Sequence, residues 1–352
     1  MDVLDGRSSL SSLSASHPSA GSSDRSDTLS EVLEAVRLTG ALFFLVDAST
    51  PWVAEAPAAT QLAPTILPRA QHIVSYHVVT QGACWCESHG HTPLRLETGD
   101  VLLVPHGHAY QLASTCGLRT GQSTDDALAW FRAMAGGQLP LVVTEGGGGP
   151  ERLELVCGFL GCDALPLNPV LTALPALLRV RVQGDSSSRL SALLQFAVAE
   201  SSRSSPGSRS VLLRIAELVF VEVLRSYLTS AQDGTPSWLG GLRDPVVGRA
   251  LARLHAEPAR AWTLPELARE AGASRSVLAE RFASFVGHPP MLYLTQWRMQ
   301  LAAGLLAAGT ASVSAVAGEV GYESEAAFCR AFKKVTGVTP ASWRSRRSAE
   351  HS

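Results

Sequence analysis

Apolar positions divide the chain into one helical stretch, a run of short alternating segments and two further helical regions. Leu29, Val32, Leu33 and Val36 stand at the three-and-four spacing of an amphipathic helix, behind the capping residues Asp27 and Thr28, and Gly40 supplies a stop. Short apolar or alternating segments follow at 41–46, 72–79, 83–86, 93–96, 101–104, 110–113, 139–143 and 152–160, with turn residues between them. Their length and spacing predict an antiparallel sandwich or barrel. Beyond Asp163 the spacing becomes helical again at 168–179, 188–201 and 208–230. In the last of these, Leu212, Ile215, Val219, Glu222 and Val223 lie near one stripe, which reads either as core or as a dimer seam. Residues 232–236 read as a linker, and everything after them as short helices. The first 27 residues carry ten Ser and no apolar run, the pattern of a disordered tail.

The C-terminal part contains one pattern twice. Ala268, Glu270 and Gly272 recur 49 residues later as Ala317, Glu319 and Gly321, and Phe282, Gly287 and Pro290 recur 50 later as Phe332, Gly337 and Pro340. Each position has a physical use. Two helices joined by a tight turn need a small residue where they touch, which Ala268 and Ala317 supply, and a residue tolerant of positive φ in the turn, which Gly272 and Gly321 supply. Ser274 and Ser324 cap the second helix of each pair, and Gly287 and Gly337 end it. Between the copies, 291–306 reads as one helix with Leu294, Trp297, Leu301 and Leu305 as its apolar stripe, about 24 Å long at ~1.5 Å per residue. That length suits two reading helices in successive major-groove faces about 34 Å apart.

Charge supports a division of labour. The 352 residues carry 29 Lys+Arg and 31 Asp+Glu, a net −2, which alone would argue against a nucleic-acid partner. Residues 243–352 hold 14 basic and 9 acidic groups, or +5, and both lysines of the chain, Lys333 and Lys334; the other 242 residues carry −7. At 46% hydrophobic and 17% charged residues the chain can bury a core, so disorder as its main state is excluded. No secretory h-region is visible, and the most apolar run, 211–228, is broken by Arg214, Glu217, Glu222 and Arg225, too many charges for a membrane span. The six cysteines, Cys84, Cys86, Cys116, Cys157, Cys162 and Cys329, show no dense disulfide spacing. A cytoplasmic protein with reduced thiols is expected.

The segment 243–347 resembles the AraC/XylS-type DNA-binding domain over its full length. The stretch from Glu319 through Val320, Gly321, Tyr322, Ser324, Phe328 and Phe332 to Lys334, followed by Gly337 and Pro340, carries that family's most specific signature. The resemblance implies two helix-turn-helix motifs whose second helices enter the major groove. The first would present Arg275, Ser276, Ala279 and Glu280, the second Glu325, Ala326, Cys329 and Arg330. Arg275 and Arg330 can donate to guanine edges and the glutamates can accept from cytosine amino groups, although Glu280 and Glu325 read equally well as solvated helix charge. Lys333, Lys334 and Arg298 are placed at phosphates.

Gly99 to Tyr110 (Gly-Asp-Val-Leu-Leu-Val-Pro-His-Gly-His-Ala-Tyr) is similar to the second cupin motif, matching its Gly, Pro and Gly. Tyr110 stands where metal-binding cupins place a histidine, and the first cupin motif is not convincingly present. The order resembles regulators with a cupin sensor. It implies an α+β fold: a disordered tail at 1–27, a cupin-like β-barrel sensor at 28–165, a helical linker or dimerisation segment at 166–236, and a double helix-turn-helix domain at 237–347. The function implied is sequence-specific transcription regulation, with double-stranded DNA, a small-molecule effector, RNA polymerase and a second copy of the chain as partners and no membrane. A metal-dependent cupin enzyme fused to a DNA-binding domain is the alternative, disfavoured by Tyr110. A third reading takes Cys157 and Cys162 as a metal or redox input, with Cys157, Cys162, His77 and His106 as the candidate ligands for zinc or another divalent metal. Against it stands the ordinary role of Cys as a small buried hydrophobe.

Overall fold

The computed structural model describes residues 28–35, 38–162, 168–182, 184–203, 205–230, 237–309 and 311–351. The Ser-rich tail and the linker at 232–236 lie outside the described residues. The first half runs α1 (Thr28–Ala35), β1 (Leu38–Ser49), β2 (Val53–Ala56), α2 (Ala59–Ile66), β3 (His72–Gln81), β4 (Ala83–Glu87), β5 (Leu94–Glu97), β6 (Asp100–Val104), β7 (Tyr110–Ala113), α3 (Thr124–Ala135), β8 (Val142–Gly146), β9 (Arg152–Cys162), α4 (Pro169–Ala173) and β10 (Leu178–Arg181). The strands form two sheets, in the orders β10-β6-β3-β9-β1-β8 and β2-β7-β4-β5. Every pairing is antiparallel except β1 with β8. Among the described residues no strand pairing joins the two sheets, so the expected barrel is two facing open sheets.

The central strands are buried on both sides. Along β9, Leu153, Leu155, Cys157 and Phe159 point between the sheets, whereas Val156, Leu160 and Cys162 point to the outer face. β3 divides in the same way, Ile73 and Val79 against Val74, Tyr76 and Val78. This period of two, with both faces covered, is why the sequence there reads as continuous apolar runs. The outer face is covered by α5 (Gly184–Arg203) and α6 (Ser208–Ser230). Ile215, Val219 and Val223 of the α6 stripe are core, and Glu222 is buried against Arg189 of α5 (Nη2···Oε1 2.6 Å). That stripe is therefore no dimer seam. The helix expected over 168–179 is shorter, because Pro175 cannot continue it, and the alternating Leu178–Arg181 pairs with β6 instead.

The C-terminal part is helical throughout: α7 (Trp238–Arg243), α8 (Val247–Ala256), α9 (Leu264–Glu270), α10 (Arg275–Val286), α11 (Pro290–Ala308), α12 (Val313–Glu319), α13 (Glu325–Thr336) and α14 (Pro340–His351). It has two cores. Leu267, Ala268, Leu278 and Phe282 of α9 and α10 belong to a cluster that continues through Tyr293, Leu294 and Trp297 of α11 into Val32 of α1 and the outer face of the first sheet. Val316, Ala317, Phe328, Phe332 and Trp343 form a separate cluster with Met299, Ala302, Ala303 and Leu306 of α11. One helix thus contributes its first half to one core and its second half to the other.

Candidate ligand pocket and nucleic-acid interface

Between the two sheets lies a cavity of about 140 Å³. Phe44 and Val46 of β1, His77 of β3, Val143 and Glu145 of β8, and Leu155, Cys157 and Phe159 of β9 line one side. Val53–Ala56 of β2 and Tyr110 and Leu112 of β7 line the other, and α3 covers it with Ala127, Trp130 and Phe131. The rings meet edge to face: Phe44 and Trp130 at 5.6 Å, Trp130 and Phe131 at 4.9 Å, Phe131 and Phe159 at 5.4 Å between centroids. Such pairs hold an apolar wall in one shape. α3 is set in place by a capping box, in which Ser123 accepts from the Asp126 amide and Asp126 accepts from the Ser123 amide.

A polar group lies at the inner wall. His77 Nε2 is 2.5 Å from Tyr110 Oη and Nδ1 is 3.0 Å from Cys157 Sγ, all three buried. Burial lowers the His77 pKa to about 3 and raises those of the Cys157 thiol and the Tyr110 phenol. At neutral pH the ring is uncharged and carries one N–H, so one nitrogen donates and the other accepts. Both are engaged within the protein.

The four proposed metal ligands are not brought together. His77 and Cys157 face each other in the β3–β9 register, but Cys162 is five residues further along β9, an odd number, and its side chain lies on the opposite face of the sheet. His106 Nε2 hydrogen-bonds the Leu174 carbonyl at 2.8 Å. Among the described residues no group of three His, Cys, Asp or Glu side chains could hold a metal ion. Tyr110, noted in the sequence only for not being a histidine, is the residue that bonds His77.

In the helical part, α9 with α10 and α12 with α13 form two similar pairs. Ser274 accepts from the Val277 amide at 3.3 Å and Ser324 from the Ala327 amide at 3.2 Å, which starts α10 and α13 where the repeat expects them. Gly287 and Gly337 end them in the left-handed conformation. Leu278 and Phe282, and Phe328 and Phe332, point inward. Arg275, Ser276 and Glu280 on α10, and Glu325, Ala326, Arg330, Lys333 and Lys334 on α13, are exposed, with Ala279 and Cys329 half-buried. Arg298 is otherwise placed than expected. Its guanidinium is half-buried and donates to the carbonyls of Pro258 (2.7 Å), Arg260 (2.7 Å) and Gly321 (3.4 Å). It ties the loop before α9 to the turn before α13, a structural role that the sequence did not suggest.

A cavity between the sheets of the first part, followed by paired helices with exposed second members, fits a ligand-binding module joined to a nucleic-acid-binding one. Residues 27–229 match the Cupin family model and residues 267–346 match the Helix-turn-helix domain model. An AraC-like transcription regulator from Streptomyces lividans is 34% identical over 277 residues, covering 78% of this chain and 88% of its own. The HTH-type transcriptional regulator AlkR of Acinetobacter baylyi is 28% identical over 282 residues, covering 78% and 89%. ToxT from Vibrio cholerae overlays 87% of this chain and 98% of its own at 11% identity and a TM-score of 0.32, a likeness too distant to build on. The chain belongs to the AraC-like transcription regulators, with a cupin domain ahead of its helix-turn-helix domain. Among the described residues no helix is long and apolar enough to cross a membrane.

Proposed function

We propose that the chain is a ligand-responsive, sequence-specific DNA-binding regulator in which α9–α10 and α12–α13 are two helix-turn-helix motifs and the cavity between the sheets is the effector site. The working division is 28–165 for the sensor, 166–236 for the linker and 237–347 for the DNA reader. Arg275, Ser276, Ala279 and Glu280, with Glu325, Ala326, Cys329 and Arg330, would face base edges, and Lys333 and Lys334 phosphates. A homodimer and contact with RNA polymerase belong to the same reading. The observation that carries it is the cluster uniting the outer sheet face, α1 and the first helix pair: a shape change around β1, β3 or β9 has a packed route to α10. Against a catalytic cupin speaks His77, whose two nitrogens are both spent on Tyr110 and Cys157.

The test is selection of a binding site from a randomised duplex library by the full chain. A defined sequence is expected, with Arg330→Ala weakening it by about 1–3 kcal/mol and non-specific binding less. Recovery of no preferred sequence would overturn the reading.

A further inference from the structure

The cavity is uneven in charge. Its rings, Phe44, Trp130, Phe131 and Phe159 among them, form an apolar body, and among the described residues Glu55 and Glu145 are its only acidic or basic side chains besides His77. Among the described residues no Lys or Arg lines it, and burial keeps His77 neutral. The two carboxylates come from edge strands of different sheets, Glu55 from β2 and Glu145 from β8.

These two differ from comparable carboxylates around them. In the sheet-rich part the other buried or half-buried acids each have an arginine: Asp47 has Arg152 at 2.7 Å, Glu87 has Arg119 at 2.9 Å and Asp100 has Arg181 at 2.8 Å. The carboxylates of Glu55 and Glu145, half-buried at the cavity, have no hydrogen bond or ion pair among the described residues. Desolvation raises the Glu145 pKa, as expected of a carboxylate taken from water without compensation. A partly desolvated, unpaired charge is unfavourable in the empty protein and becomes favourable when a ligand supplies the opposite sign. Aromatic rings elsewhere in the cavity lining can add attraction for the same sign of charge. An anionic ligand would meet two like charges and no cation.

We propose that this cavity binds a small organic cation, its apolar body seated against the ring cluster and its positive charge met by Glu55 and Glu145. The proposal rests on the cavity being the effector site. A charge-only recognition would also accept metal cations, but the apolar wall selects for a hydrocarbon body, and two carboxylates on different strands without a third ligand are a poor metal cage.

Three probes with one skeleton separate charge from shape: 3-phenylpropylammonium, 3-phenylpropan-1-ol and 3-phenylpropanoate, titrated calorimetrically into the full chain at neutral pH. The ammonium is expected to bind at least tenfold more tightly than the alcohol, with the carboxylate weakest. Glu55→Gln with Glu145→Gln should remove that tenfold advantage and leave the alcohol's affinity unchanged, and thermal melting of the variant confirms that it folds. Equal affinity for ammonium and alcohol, or preference for the carboxylate, overturns the cation proposal while Trp130→Ala, by abolishing binding of whichever probe wins, keeps the cavity as the site. If none of the three binds, or Trp130→Ala changes no affinity, the effector-site reading falls together with the cation proposal.

Discussion

His255 of α8 turns its Nδ1 toward Glu31 of α1, 3.8 Å from Oε2, across the junction between the first helix and the C-terminal bundle. The ring's hydrogen is assigned by its other neighbours. Trp238 Nε1 donates to Tyr293 Oη at 2.9 Å, so the Tyr293 hydroxyl is free to donate to His255 Nε2 at 2.8 Å, which leaves the N–H on Nδ1, facing Glu31. The ring lies 4.2 Å from Trp297, and burial lowers its pKa to about 3.

Acid should therefore destabilise the folded chain earlier than its carboxylates alone would. His255 and His77 both have pKa values of about 3 when folded, against an ordinary 6.5. The unfolded chain binds more protons between those values, so the stability contributed is complete above pH ~6.5 and is lost as pH falls toward 3. Each histidine should add a slope approaching about 1.4 kcal/mol per pH unit in that window. Urea unfolding from pH 7.5 to 5 checks it, and His255→Phe should flatten the dependence.

Gly321→Ala should cost more than Gly337→Ala although both glycines have positive φ, +82° and +78°. Around Gly337 a Cβ would meet open space, so the change costs only the left-handed conformation, about 1–2 kcal/mol. At Gly321 a Cβ would come to 2.3 Å from the Ala259 carbonyl oxygen, and the loop before α9 would have to move. Denaturation of the two variants, compared with wild type, should place Gly321→Ala at about 3 kcal/mol or beyond.

Arg298 and Lys333 should separate stability from DNA affinity. Lys333→Ala, altering an exposed cation, should leave the melting point within a degree or two and reduce the salt dependence of DNA binding by about one unit of slope. Arg298→Ala removes donors from three carbonyls and should lower the melting point, with a loss of about 2–4 kcal/mol. Melting curves and binding isotherms at several salt concentrations read both.

Tyr110→Phe keeps the ring and deletes the hydroxyl that His77 Nε2 contacts. A buried nitrogen left without a partner should cost about 1–3 kcal/mol, measured by urea unfolding.

The helical half was legible because its punctuation is local. Ser274, Gly287 and Pro290, then Ser324, Gly337 and Pro340, start and stop helices by their own backbone chemistry, and the elements run where those residues say. The sheet half was legible in its strands but not in its site. Glu55 and Glu145 meet at one cavity only because β2 and β8 are edges of different sheets, a relation that no spacing along the chain encodes. Alternating segments do not reveal α2, which contains Pro64, or α3, although Ser123, Asp126 and the apolar Ala127, Phe131 and Met134 mark α3 in the sequence. Arg298 shows a further limit: a cation beside a DNA-reading segment looks the same in sequence whether it faces solvent or three carbonyls.

Because α11 is anchored by Tyr293, Leu294 and Trp297 in one core and by Met299, Ala302 and Leu306 in the other, it behaves as an axle rather than a hinge. Its 19 residues span about 28 Å with Pro only at the start, so the separation of the two helix pairs is a property of its length. If both pairs read one operator, as proposed, that operator should match this interval: adding one base pair between its two segments, about 3.4 Å and a tenth of a turn, should weaken binding. On the proposed reading, an effector could shift this axle as a whole but would leave the interval between the two helix pairs unchanged.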